Sequence, residues 1–343
     1  MPNHPLEPKK HTSMLLKLLP IAAFAVPLVW LYFLDAASFE LMWKGRTFQL
    51  FFIWLVSLEL ILGWENLQAN KISKLVSART IALIATLSPP TLYVAASSYW
   101  GLNAAIMNWA TQSHIQWANA MPLSTEYLVF AALFCLIAYL SFGAKGLKDF
   151  SVPAFFLAIV GVLYTIDNVF PYGQFTPFQI FVPTTTALAA AILNLMGYTT
   201  SIDYGQNSLQ GNMPFLTAAN THISGAPSTT FAIAWPCAGI ESFLIFTVVV
   251  LLFLKRMPIS LKGKIGYFVF GAAITYLINA LRIVNIFLIG MNKGNIDMFH
   301  FYYGPLYAIT WIVSYPLIIM LTQNIYNKIK KTRQPETPRA QPS

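Results

Sequence analysis

Three reactive side chain types, a thiol, a guanidinium and an imidazole, stand in the second half of the chain. Cys237 lies in Trp235-Pro236-Cys237-Ala238-Gly239-Ile240-Glu241-Ser242, where a polar stretch turns into an apolar run. At a helix start, backbone N–H groups and the helix dipole lower a thiol pKa and favour the nucleophilic thiolate. Arg282 stands in Asn279-Ala280-Leu281-Arg282-Ile283-Val284-Asn285, inside a run otherwise apolar from Phe268 to Ile289. A charge embedded in hydrocarbon is costly and as a rule faces a polar cavity. Snorkelling to the interface is the plain alternative. Asn279 and Asn285 stand three residues to either side, close to the same helix face, where they could hold the guanidinium. His300, three residues after Asp297 and just ahead of the last apolar run, can take and return a proton near neutral pH. His114 is a competing histidine.

The elements that must position these groups are membrane helices. The chain has 343 residues, 57% hydrophobic and only 10% charged, against about 25% charge in a soluble domain. Apolar runs at 15–34, 48–64, 79–98, 126–142, 151–170, 177–197, 237–254, 265–290 and 304–325 suit helices crossing a ~30 Å hydrocarbon core. The first run lacks a clear small-residue cleavage site near its end and is read as a span rather than a signal peptide. Strict alternation, the mark of a transmembrane β-barrel, is missing over such lengths. The net charge of +9 is concentrated in short loops and the two tails. Attraction to an anionic membrane surface accounts for it without nucleic acid.

Loop charge then sets orientation. The N-terminal tail carries Lys9, Lys10 and Lys17. The 65–79 loop carries Lys71, Lys74 and Arg79, and the 143–150 loop carries Lys145 and Lys148. The 255–264 loop carries Lys255, Arg256, Lys262 and Lys264, and the C-terminal tail Lys328, Lys330, Lys331 and Arg333. All five are expected in the cytoplasm. The 99–125 connection has no Lys or Arg and carries Trp100, Trp109 and Trp117, which suits the outer interface. In the 35–47 loop Lys44 and Arg46 are balanced by Asp35 and Glu40.

Nine spans cannot leave both tails inside. The 143–150 and 255–264 loops put residue 170 and Cys237 both outside, so the run 177–197 must start and finish there. The expected fold is all-α and polytopic, with about eight transmembrane helices plus one re-entrant or interfacial helix. Residues 1–150 form an N-terminal scaffold and 151–327 a catalytic membrane core. The polar stretch 198–236, punctuated by Gly and Asn, forms turns and a short hairpin, with Thr229 to Trp235 as an extended entry to Cys237. Residues 328–343 form a disordered basic tail.

This topology brings Cys237, Arg282 and His300 to one leaflet from three adjacent segments. Other embedded ionisable groups are Glu59, Asp167 and Glu241. Glu241, one turn below Cys237, is a candidate ion-pair partner for Arg282. Asp167 is read as the cap of a helix end. Cys135, in the middle of a span, is read as packing. The sequence has no His-x-x-x-His and no Cys-x-x-Cys, so neither a metal nor another cofactor is expected.

At these residues the chain resembles the exosortase/archaeosortase family. The matching pieces are Pro236-Cys237-Ala238-Gly239-Ile240 before an apolar span, Asn279-Ala280-Leu281-Arg282-Ile283, and His300 ahead of a last span. The resemblance covers roughly residues 175–325, and the first four spans show only general membrane character. It implies a membrane cysteine protease or transpeptidase with Cys237 as nucleophile and Arg282 and His300 completing a triad. The implied partners are secreted proteins ending in a short motif, a hydrophobic helix and a basic tail. The implied acceptor is a membrane lipid or a surface glycan. Competing readings are a transporter or channel for a small anion using Arg282, a non-catalytic envelope subunit, and a lipid-dependent transferase using Glu241 or Asp167.

Overall fold

The structure, a computed structural model, describes residues 8–41, 44–64, 85, 87–170, 181–207, 211–220 and 228–333. Most apolar runs become helices close to their expected places. These are α1 (Pro8–Leu34), α2 (Thr47–Gly63), α3 (Pro89–Tyr99), α4 (Leu102–Gln112), α5 (Met121–Asp149), α6 (Ser151–Val169), α7 (Phe181–Leu195), α8 (Ile240–Arg256), α9 (Leu261–Met291) and α10 (Gly304–Arg333). The chain is thus an all-α polytopic membrane protein. Among the described residues five helices, in α1, α5, α6, α9 and α10, are long and apolar enough to cross a bilayer. The 65–79 loop and the tail beyond residue 333 lie outside the described residues.

Several details differ from the sequence expectations. The 99–125 connection, to which no element is assigned from sequence, contains α4. The 143–150 loop is helical: Gly143 (φ 73°, ψ −163°) breaks α5 where the apolar run ends, and the helix then resumes to Asp149. Helix α10 runs to Arg333, so the first part of the expected disordered tail is helical. The polar stretch forms a three-stranded sheet in the order β1-β2-β3, with strands β1 (Tyr198–Asn207), β2 (Gly211–Asn220) and β3 (Ser228–Ala232).

The chain forms two compact units: Met1–Gln179 with Gln206–Met213, and Ile180–Gly205 with Pro214–Ser343. Helix α6, expected with the catalytic half, falls in the first unit. There an edge-to-face cluster of Phe24, Phe52, Phe130 and Phe134 packs α1, α2 and α5 together. Asp35, Lys44 and Arg46 of the 35–47 loop are paired within the same unit. Lys44 Nζ meets Asp167 at 2.8 Å, and Arg46 meets Glu126 at 2.8 Å and Asp35 at 3.0 Å. Asp167 is therefore an ion-pair partner rather than a helix cap. Lys44 also lies over the Trp117 ring at 4.3 Å.

In the second unit α8 and α10 share a core of Phe246, Val250, Leu254, Ile312, Tyr315 and Ile319. Helix α9 joins them through Trp311 Nε1, which donates to Thr275 Oγ1 at 3.1 Å, and Tyr315 OH, which donates to the Tyr267 carbonyl at 2.6 Å. Helix α7 joins α9 where Tyr276 OH and Thr185 Oγ1 lie 3.0 Å apart. Helix α7 is described over 15 residues, Phe181–Leu195.

Candidate active site

Strand β3 carries the chain into the site. It pairs antiparallel with β2, Phe215 opposite Ala232 and Thr217 opposite Thr230. Its Phe231 ring packs edge-to-face on Phe287 of α9 at 5.0 Å. Ile233 N–H then donates to the Pro214 carbonyl at 2.9 Å. These contacts fix the chain against the upper part of α9 just before Cys237.

Cys237 lies in a separate one-turn 3-10 helix, Trp235–Ala238, and α8 starts after it at Ile240. The thiol thus precedes the membrane helix rather than opening it. Between the two, Gly239 adopts φ +85° in the left-handed region, where a side chain is strained. A Cβ there would also stand 2.6 Å from Asn279 Nδ2. Asn279 fills that space and donates from Nδ2 to the Cys237 carbonyl at 2.9 Å. The sequence suggested instead that Asn279 would hold Arg282.

Arg282 is one turn further along α9, on the same face as Asn279. It is partly buried, and its Nη2 donates to the His300 carbonyl at 3.0 Å. Gly304 makes room for it, since a Cβ there would lie 2.7 Å from Arg282 Nε. His300 sits in a π-helical turn, Phe299–Tyr303, at the entry to α10. Such turns recur at functional sites because they re-aim side chains. Upstream, Asn295 Oδ1 accepts from Met298 N–H at 2.9 Å and caps the short helical turn Ile296–Met298 that leads into it.

Successive turns of α9 therefore hold the backbones of Cys237 and His300. The Cys237, Arg282 and His300 segments meet along one helix face. His300 is half-buried. Burial, joined by the Arg282 charge and opposed by Asp297, holds its pKa below the ordinary histidine value. A neutral imidazole is the form that accepts a proton.

Of the other residues raised by sequence, His114 lies exposed in the first unit on a turn after α4, with φ 56°. Cys135 is half-buried within α5. Asp297 is exposed beside the His300 turn. The side chain of Glu241 lies outside the described residues. No metal-holding cluster of His, Cys, Asp and Glu occurs among the described residues. Sequence reasoning missed Gly239 and Gly304 as the residues that leave room for Asn279 and Arg282. Gly239 was in view within the Cys237 stretch, but the need for it comes from a side chain on another helix.

Helical bundle, outlying sheet, and a thiol, guanidinium and imidazole on adjoining segments define a polytopic membrane protein with a candidate acyl-transfer site. The family model for the transmembrane exosortase (Exosortase_EpsH) matches residues 43–318, most of the chain, and the protein belongs to that family. The match extends well upstream of the 175–325 region where the resemblance was legible, and takes in helices that showed only general membrane character. No match was found among curated proteins or among solved structures. Family membership supports a membrane-embedded transpeptidase of protein sorting that acts on secreted proteins.

Proposed function

We propose that this protein is a membrane cysteine peptidase or transpeptidase that removes C-terminal sorting signals from secreted proteins. The substrate ends in a short motif, an apolar helix and a basic tail. The new C-terminus passes to a lipid or glycan acceptor. The enzyme works in the plasma or inner membrane with its site on the outer side. One observation carries this reading: Asn279 and Arg282, one turn apart on α9, bind the carbonyls of Cys237 and His300.

In the mechanism, neutral His300 takes the Cys237 proton. The thiolate attacks the scissile carbonyl carbon, and Arg282 stabilises the charge that collects on the carbonyl oxygen. The C–N bond breaks, the His300 imidazolium protonates the leaving amine, and a thioester remains on Cys237. The acceptor then gives its proton to His300 and attacks the thioester; the C–S bond breaks, and the Cys237 thiolate takes the proton from His300. Family membership favours this reading over anion transport through Arg282.

The test is a tagged reporter that the wild-type chain processes in its own host. Cys237→Ala and His300→Ala, each present at wild-type level in the membrane, are expected to leave the reporter uncut. Full processing by Cys237→Ala would overturn the proposal.

A further inference from the structure

We infer that Asn279 is a positioning residue for Cys237 and that Gly239 is the seat that admits it, an inference that rests on the reading of Cys237 as nucleophile. A one-turn helix leaves its carbonyls without internal partners. In the turn Trp235–Ala238 the Cys237 carbonyl finds its partner on another segment, Asn279 of α9, at 2.9 Å. Asn279 is only 3% exposed, in a helix apolar enough to span a bilayer. An amide is costly there unless it is bonded. Its Oδ1 is buried and has no hydrogen-bond partner among the described residues. The side chain is thus kept in place by its donor alone, and a leucine of the same size would avoid burying the orphan oxygen.

The acceptor is the backbone of the nucleophile itself. Three residues on, about 4.5 Å along the axis, Arg282 holds the backbone of His300. Helix α9 thereby sets the Cys237 turn and the His300 turn at a fixed spacing. Proton transfer and attack both depend on that spacing. Gly239 serves the same arrangement twice: its φ of +85° lets the chain leave the turn, and its missing Cβ leaves the space that Asn279 occupies.

The test uses the full-length chain in lipid nanodiscs and a tagged reporter whose C-terminal segment the wild-type chain removes. Asn279→Leu keeps the size and loses the donor, and Asn279→Asp keeps the shape as well. Each is expected to lower kcat on the order of 100-fold, as misplacement by about 1 Å can, with KM unchanged. Rates are taken per folded molecule, monitored by tryptophan fluorescence. Gly239→Ala already displaces Asn279, so adding Asn279→Leu to it should cost little more. Wild-type kcat in Asn279→Leu, with Cys237→Ala inactive, overturns the inference while the nucleophile reading stands. A change in KM alone, or losses that multiply in the double variant, also overturns it. Activity in Cys237→Ala removes both readings together.

Discussion

Glu126 is the most consequential buried charge in the first unit. Its side chain is 1% exposed, and it accepts Arg46 Nε at 2.8 Å and Arg46 Nη2 at 3.0 Å, a bidentate pair. Gln49 Nε2 adds a third bond at 2.6 Å. Burial works against charge on Arg46, but the hydrogen bond and charge of Glu126 outweigh it and raise the guanidinium pKa. The guanidinium is therefore charged at every pH of interest. Glu126→Ala would leave the buried guanidinium with the Ser38 hydroxyl and with Asp35, whose side chain is 53% exposed. Breaking a buried pair from one side costs about 3–5 kcal/mol, whereas losing an exposed pair such as Asp35 with Arg46 costs about 0–1 kcal/mol. Removing both buried charges is a different perturbation. Arg46→Met with Glu126→Leu should fall within about 1 kcal/mol of wild type or be more stable, because no uncompensated charge remains. Denaturation in mixed micelles, followed by tryptophan fluorescence, measures Glu126→Ala, Asp35→Ala, Arg46→Met, Glu126→Leu and the double variant. If Glu126→Ala costs no more than Asp35→Ala, or if the double variant is as unstable as the two single costs summed, the reasoning about this pair is wrong.

Other outcomes follow from the second unit. Arg282 and Asp297 act on His300 with opposite signs. Removing the like charge in Arg282→Gln should raise the His300 pKa, and Asp297→Asn should lower it further; NMR titration of the imidazole reads both, and shifts in the reverse directions would contradict the site geometry. Gly304→Ala places a Cβ against Arg282 Nε and against the Phe299 carbonyl at 3.0 Å. It should displace the guanidinium and sharply lower reporter cleavage, with normal membrane levels checked by immunoblot. A topology reporter fused at residue 200 should report the outer side, since the basic 143–150 and 255–264 loops put both ends of the run 177–197 there. A cytoplasmic signal there would overturn the proposed orientation.

What was legible in the sequence follows from the range of the forces involved. Hydrocarbon burial is local along a helix, so the run 48–64 became α2 at Thr47–Gly63 with little error. Cys237, Arg282 and His300 stood out because each is a reactive group in apolar or near-apolar surroundings. The sheet was only half visible: the extended entry read over Thr229 to Trp235 is strand as far as Ala232 and turns helical at Trp235, and the three-strand order depends on pairing between segments separated by loops. The tertiary partners were invisible. Lys44 meets Asp167 across the whole first unit, and no local pattern announces such a pair. Glu126 drew no notice because it borders an apolar run. Asn279 was assigned by helix periodicity to Arg282, whereas its bond goes to a different segment, the Cys237 carbonyl. Helix periodicity says which residues share a face. It does not say what the neighbouring chain brings to that face.

The central claim is that Cys237 carries the substrate as a thioester. The most direct measurement is mass spectrometry of the Cys237 peptide from the full-length chain, isolated during turnover of the tagged reporter. The account predicts the reporter's newly formed C-terminus attached to Cys237, released by neutral hydroxylamine and missing in Cys237→Ser. Reporter cleavage at the normal rate with no adduct on Cys237, in a chain whose Cys237→Ser variant still cuts, would contradict it.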